Sequence, residues 1–341
     1  MVVVGILIVF VCFLDLAANS DFESLKEQII QTWLYIYEWL GKNDSKIMID
    51  DDFLRAFYVV YFVKDDKLPE KELTKYEKGI FDEIFTLEKC NIKDIPQILD
   101  DLKIAINAWF IINNPKDENS QIGLSRKTIH LLDVINQNKS GNFTKIFLLA
   151  GLMNRHKNPY NNRFEDVVEA IERHNFCVYY LNGNRTNNNR AELLRLAHKY
   201  YTGERQETDL VEDINDLVRN CVKYERTKQT LRENIGGQYF YSWEGLKYFL
   251  WEWEYYLQGN DDARLTSYGD CTPSLIFPED SSLKDEFKDC IKGRSKDNIN
   301  KIRYSLGNIV LAKTKRKDAS YKNQKQYYED NKTSVSYFLQ F

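Results

Sequence analysis

The sequence predicts a mainly α-helical protein: a multi-helix body followed by a small α+β module at the C-terminus. Chain breakers are few, with six prolines and 15 glycines in 341 residues. Apolar residues recur at three- and four-residue spacing over most of the first 260 positions. This periodicity weakens after Leu257–Pro273, where a basic excess begins. We therefore expect a helical domain over residues 21–260 and a separate module over residues 261–341.

Residues 1–20 form an apolar N-terminal segment, in which thirteen of the first fourteen residues are apolar. The run resembles the core of a signal peptide, but no lysine or arginine precedes Lys26, so the positive region of such a peptide is missing. The run is also too short to span a bilayer as a helix. A buried segment is the expectation, and a signal peptide is the alternative. A start on core-like sequence also suggests a chain truncated at its N-terminus.

Helices are predicted in order along the body. In Asp21–Leu40 the apolar residues have helical spacing, and Gly41 ends the helix. A second helix lies in residues 49–62, where Asp50–Asp52 favour the positive helix end. Three consecutive acids at a helix start cannot converge on one cation, so capping is preferred over a metal site. Residues 163–180 indicate a helix followed by a short apolar run and an Asn/Gly turn. Further helices are expected near 70–88, 94–112, 121–136, 188–202, 207–232 and 242–257.

The cysteines and histidines form no recognisable metal or redox motif. The six cysteines contain no C-x-x-C pair, which argues against zinc ribbons and favours core residues in the reducing cytoplasm. His174 and Cys177 are one candidate ligand pair, but a packed or surface pair is preferred because no second pair accompanies them. The chain also lacks a P-loop, a G-x-G-x-x-G and an H-E-x-x-H.

The C-terminal residues carry the basic charge. Ser281–Phe341 contains 14 lysines and arginines against seven acids, a net charge of +7, which leaves −11 on residues 1–280. In Lys301–Lys317 an apolar run lies between a Gly-Asn turn and a basic block, a pattern that indicates a hairpin directed at a phosphate backbone. A polyanion partner is one interpretation, and a solvated lysine-rich face is the other. The tyrosines interleaved with the cations stack on bases in the first case and face a small core in the second; they are Tyr304, Tyr321 and Tyr327.

Four blocks in order resemble the GmrSD-type family of modification-dependent (type IV) restriction endonucleases, which act in phage defence. They are "WLYIYEWLGKNDSKIMIDDDFLRAFYVVYF" (33–62), "FEDVVEAIERHNFCVYYLNGNRTNNNRAELLRLAHKYYTG" (164–203), "SWEGLKYFLWEWEYYL" (242–257) and "YSLGNIVLAKTKRK" (304–317). The second block is similar to a helix–strand segment of the family. The resemblance implies the helical part of a ParB/sulfiredoxin-like domain, followed by an HNH-like ββα module. The Asp-Gly-Gln-Gln-Arg signature of the family's nucleotide-dependent unit is absent.

The resemblance also locates the family's catalytic position, and here its histidine is missing. HNH chemistry needs a histidine base, a divalent metal and an orienting asparagine. Ser274 stands in the glutamate slot and Leu275 in the histidine slot, while Asn308 is retained. Residues 199–341 contain no histidine. Asn308 is therefore the remnant of the catalytic set, and the preferred interpretation is that it only shapes a turn together with Ser305 and Gly307.

We therefore predict a truncated, catalytically inactive family member with residual DNA binding and no metal site. The predicted phosphate contacts are Lys313, Lys315, Arg316, Lys317, Lys322 and Lys325. One alternative is an active endonuclease that uses Mg²⁺ and takes Asp270 or Glu279 as its base. Another is a helical adaptor that makes no DNA contact. A partner chain carrying the nucleotide-dependent unit is expected to dock on residues 2–14, and no membrane partner is expected.

Overall fold

Helices dominate the computed structural model of the protein. The structure describes residues 20–42, 48–63, 92–120, 123–138, 142–159, 163–223, 225, 227–229, 238–257, 268–275, 277 and 292–313. Within these ranges the strands form a single two-stranded sheet, so the prediction of a mainly helical chain is confirmed. The N-terminal segment 1–19, the helix expected at 70–88 and the predicted boundary near residue 260 lie outside the described residues.

The chain divides into two units. The first comprises residues 1–174 and 185–217, and the second comprises residues 175–184 and 218–341. Helix α1, Ser20–Gly41, opens the described part of the first unit and matches the predicted helix. It packs against α3, Ile95–Asn113, where the ring of Trp39 meets Phe110 edge-on at 4.9 Å. The buried apolar side chains described on α1 are Leu25, Ile29, Trp33, Ile36 and Leu40.

Helix α2, Asp50–Phe62, begins with three acids in its first turn, as the sequence predicts. The carboxylate of Asp50 accepts a hydrogen bond from the backbone N–H of Asp51 at 2.8 Å. Negative charge here lies at the positive end of the helix dipole, which stabilises the helix start. Helix α4, Arg126–Gln137, is capped by Ser125, whose hydroxyl accepts from the N–H of Thr128 at 3.0 Å.

Helix α5, Asn142–Lys157, was not predicted from the sequence. It packs against α2, α3 and α7 (Arg190–Thr202), so apolar side chains are needed on several of its sides. Periodicity detects helices with one buried face, and α5 lacks that pattern because its neighbours surround it.

The short apolar run after α6, Phe164–Asn175, is a π-helical segment over Phe176–Leu181. The strand that the family resemblance implies here is therefore wrong. Val178, Tyr179 and Tyr180 are buried in succession, and a continuous apolar run of this length does not distinguish a strand from a buried helix. Helix α8, Glu207–Cys221, ends at Cys221 rather than at residue 232.

The second unit carries the sheet. After the single-turn helix Gln238–Tyr241 come α9, Leu246–Leu257, and β1, Cys271–Leu275. They are followed by α10, Lys296–Arg303, and β2, Ile309–Lys313. Helix α9 contacts both strands. The predicted hairpin at the Gly-Asn turn is wrong: β2 pairs with β1 across the segment that contains α10, and Leu306–Asn308 forms a 3₁₀ turn.

Gly151, in the middle of α5, is required by close helix packing. A Cβ at this position would lie 2.6 Å from Cε1 of Tyr200 and 2.8 Å from Cε2 of Phe164, and both rings are fully buried. We expect Gly151→Ala to lower the free energy of unfolding by about 1–3 kcal/mol, because neither ring can move freely. Urea unfolding measures this. Gly41→Ala is the control, since a Cβ there meets nothing within 4 Å. Equal stability of Gly151→Ala and the wild type would contradict the packing argument.

Candidate nucleic-acid interface

The strand pair of the second unit contains the position where the family resemblance implies a catalytic histidine. In the antiparallel register, Leu275 lies opposite Ile309 and Ser274 lies opposite Val310. Ile309 and Val310 are both 1% exposed and pack into the core of the unit. Leucine has no atom that can accept a proton or bind a metal. These positions therefore offer no general base.

Asn308 lies directly before β2, and its side chain is fully engaged with the backbone. Its Oδ1 accepts the N–H of Phe277 at 2.7 Å, and its Nδ2 donates to the carbonyl of Phe277 at 3.2 Å. Nδ2 also donates to the carbonyl of Arg303 at 2.6 Å. The side chain is 9% exposed. Asn308 thus joins the end of β1, the end of α10 and the start of β2, which is a structural task.

The segment Lys292–Arg303, which comprises α10 and the residues before it, carries five cations and one acid, Asp297. Lys292, Arg294, Lys296 and Lys301 are exposed. Arg303 is half-buried: its guanidinium lies over the ring of Phe277, 4.9 Å from the centroid, and donates to Asn300 Oδ1 at 3.2 Å. Ser295 caps the helix by accepting the N–H of Asn298 at 3.4 Å. We call Lys292–Arg303 the basic segment.

Prediction from the sequence overlooked the basic segment. The predicted phosphate contacts begin at Lys313, the last residue of β2, opposite Cys271. The remaining predicted contacts, Lys315, Arg316, Lys317, Lys322 and Lys325, lie outside the described residues, as do Tyr321 and Tyr327. The basic segment lies within Ser281–Phe341, the part of the chain with the excess of positive charge. Counting charges over shorter windows of this part would have identified the basic segment.

Of the two carboxylates considered as replacement bases, one lies within the described residues. Asp270 ends a 3₁₀ turn, Tyr268–Asp270, directly before β1, and Glu279 lies outside the described residues. Tyr304 is 7% exposed and its ring lies 5.7 Å from that of Tyr241. Tyr304 therefore faces the interior of its unit, which agrees with the interpretation that it faces a small core.

His174 and His198 have structural partners in the first unit. His174 shares a hydrogen bond with the Asn189 side chain at 2.9 Å, and Nδ1 of His198 lies 2.8 Å from the carbonyl of Val60. His174 is fully buried, in agreement with a packed histidine. Among the described residues no group of three or more histidines, cysteines or acids has a geometry that could hold a metal ion. Cys177, Cys221 and Cys271 are in the reduced form, outside any disulfide.

A buried carboxylate in the first unit was also not predicted from the sequence. Asp101, on α3, has a 2% exposed side chain; its Oδ2 accepts from Gln97 at 3.2 Å, and Oδ1 lies 3.5 Å from Nζ of Lys157. Burial, then the charge and hydrogen bond of Asp101, raise the pKa of Tyr61 to about 12. The pKa of Tyr201 is raised by burial first and by Asp101 second. Both tyrosines stay protonated at neutral pH, so the cluster serves as a hydrogen-bonded anchor rather than an acid–base pair.

None of the described helices combines the length and the apolar content that crossing a membrane requires. Comparison with protein-family models, with curated proteins and with solved structures gives no match to this chain.

Proposed function

We propose that this protein is a DNA-binding, non-cleaving member of the GmrSD-type restriction family, and that its C-terminal HNH-like module provides the contact. The observation that carries the proposal is the exposed basic segment beside a strand pair without a histidine. Exposed lysines and arginines on one short segment supply the electrostatic contact that phosphates require. The lack of a base at Leu275 removes the step that cleavage requires.

The geometry of Asn308 supports the same proposal. In an HNH site the asparagine must be available to orient the base or the substrate. Here both polar atoms of its amide are hydrogen-bonded to backbone groups at 2.6–3.2 Å. A partner chain that supplies a nucleotide-dependent nuclease unit belongs to the same proposal, because binding without cleavage is useful where another subunit cuts.

The test measures DNA affinity by fluorescence anisotropy as a function of salt. With about four phosphate contacts, log Kd changes with log salt with a slope near 3.6, so affinity falls roughly 100-fold between 50 and 200 mM salt. Reversing three cations, Lys292→Glu, Arg294→Glu and Lys296→Glu, is expected to reduce the slope by about 2.7 and to weaken binding at least roughly 100-fold at 0.1 M salt.

A matched control changes the net charge equally at a different surface. It combines Arg126→Glu, Arg173→Glu and Arg185→Glu, three exposed cations of the first unit. A further variant reverses the cations singled out by the sequence, Lys313, Lys315, Arg316 and Lys317. Equal loss of affinity in the control and the basic-segment variant would reject the proposed surface. Negligible DNA binding by the wild type at low salt would favour the adaptor without DNA contact.

The same samples test the absence of cleavage. Plain and modified DNA incubated with Mg²⁺ or Mn²⁺ should remain intact. Metal-dependent cutting that disappears in Asp270→Ala or Glu279→Ala would instead establish an active nuclease with an unusual base.

A further inference from the structure

Helix α1 carries a second apolar side that the described residues of its unit leave uncovered. Ile30, Leu34 and Tyr37 are 40%, 58% and 45% exposed. Their spacing of four and three residues places them on one side of the helix. We call these three residues the α1 stripe. The buried residues of the same helix, such as Ile29 and Trp33, lie on the side that packs against α3.

The stripe extends towards the start of α2. The backbone N–H of Met48 donates to the carbonyl of Leu40 at 3.4 Å, which brings the end of α1 close to the start of α2. In agreement, burial and then the charges of Asp50 and Asp51 raise the pKa of Tyr37. Ile49, directly before α2, is 60% exposed. Among the described residues, the exposed large apolar side chains are these four together with Trp253 and Tyr256 of the second unit. Single exposed apolar residues are ordinary, but such a cluster indicates a surface that is covered.

We propose that residues 2–14 of this chain cover the α1 stripe. Their composition fits that role, because twelve of these thirteen residues are apolar and none is charged. Such a run gains free energy by leaving water, and it can lie on the stripe without burying a charge. The first charged side chain after the run is Asp15, and no lysine or arginine precedes Lys26. The run therefore lacks the cations that would favour an anionic lipid surface.

The length of the chain permits this contact. Only residues 15–19 separate the run from Ser20, where α1 begins. At a helical rise of about 1.5 Å per residue, Ile30 and Tyr37 lie roughly 15 and 26 Å along α1 from that point. Thirteen residues extend about 20 Å at the same rise and about 43 Å when fully extended. A chain that reverses direction within residues 15–19 thus reaches the stripe.

Cys12 lies within the run and provides a natural reporter. A thiol reagent is applied to the full-length protein, and the labelling of each cysteine is followed by peptide mass spectrometry. We expect Cys12 to react at least roughly tenfold more slowly than in the same protein in concentrated guanidinium chloride, because a covered thiol is inaccessible. Leu34→Glu is expected to raise the native rate at least roughly fivefold, since a charge on the stripe opposes apolar cover.

Two controls make the result specific. Leu34→Met keeps the stripe apolar and should retain the protection of Cys12. Tyr256→Glu places the same charge on an exposed aromatic of the second unit and should leave the Cys12 rate unchanged. As an independent measurement, Leu34→Cys is oxidised gently, and a disulfide between Cys12 and position 34 within the monomer is expected. This measurement does not depend on how well Leu34→Glu folds.

Several outcomes overturn the proposal. Labelling of Cys12 at the denatured rate would show an uncovered run. Protection that is unchanged in Leu34→Glu would place the run elsewhere. Protection that rises with protein concentration would indicate a second copy of the chain as the occupant, and protection seen only with lipid vesicles would indicate a membrane.

Discussion

Replacing Asp101 with alanine is expected to lower the free energy of unfolding by about 1.5–3 kcal/mol, because the change removes a buried carboxylate that pairs with Lys157 and accepts a hydrogen bond from Gln97. Asp101 is 1% exposed and accepts a hydrogen bond from Gln97 at 3.2 Å, and after burial its charge is the next cause that raises the pKa of Tyr61. Nζ of Lys157 also lies over the ring of Tyr201, 4.0 Å from its centroid. The Lys157 side chain is 39% exposed and regains water when its partner is lost, which keeps the cost below that of a fully buried pair.

Asp100 provides the matched control. It precedes Asp101 on α3, its side chain is 69% exposed, and it pairs with Lys103 at 3.4 Å. An exposed pair of this kind contributes little, so Asp100→Ala should change the free energy of unfolding by less than about 0.5 kcal/mol. Chemical unfolding of both variants measures the difference. Similar values for the two would show that the cluster around Asp101 is not the anchor that its burial indicates.

Alkaline pH gives a second measurement of the same cluster. The pKa of Tyr61 is raised to about 12 in the folded protein, whereas an unfolded tyrosine has a pKa of 10.0. The folded state thus binds the proton more tightly, and its stability is full below pH 10 and falls as pH rises towards 12. In Asp101→Ala this fall should be smaller, although burial, the largest cause, remains. An unchanged alkaline profile in the variant would show that Asp101 does not act on Tyr61.

Sequence periodicity predicts most directly the helices that bury one side. Helices α1 and α7 lie where apolar spacing places them, because the apolar residues of each recur on the side that packs against its neighbours. Helix α5 has neighbours on several sides, and its near-continuous apolar sequence gives no such signal. The π-helical segment Phe176–Leu181 has the same ambiguity, since a short buried run fits a strand equally well.

The features of the candidate site also separate into those that the sequence shows and those that only the structure shows. The lack of a histidine near Leu275 is a property of the sequence and can be read directly from it. The contact of Asn308 with Phe277 joins residues far apart in the chain, so it becomes visible only when the register of β1 and β2 is known. The turn preference of Gly-Asn predicted a structural task for Asn308 but not which groups it holds. Asp101 was overlooked for the same reason, since nothing in its local sequence indicates burial.

Replacing Asn308 with alanine is expected to lower the free energy of unfolding of the second unit by about 3 kcal/mol or more. The change leaves the N–H and C=O of Phe277 and the C=O of Arg303 without partners in a buried place. The same three contacts connect α10 to the strands, so DNA affinity should fall as the basic segment loses its fixed position. Hydrogen exchange of peptides covering 268–277 and 296–313 measures the loss locally. Asn298→Ala is the control, because Asn298 is exposed on the same helix.

Asn308→Asp distinguishes the structural role from a catalytic one. The carboxylate keeps the acceptor for the Phe277 N–H but cannot donate to the carbonyls of Phe277 and Arg303, and it places negative charge beside both oxygens. We therefore expect Asn308→Asp to be at least as unstable as Asn308→Ala, with exchange protection lost at both peptides. A residue that only oriented a catalytic base or a substrate would tolerate either change without loss of stability, because its amide would face the site rather than the backbone. Wild-type exchange protection in Asn308→Asp would thus contradict the structural role, and a matching loss of stability in both variants would support it.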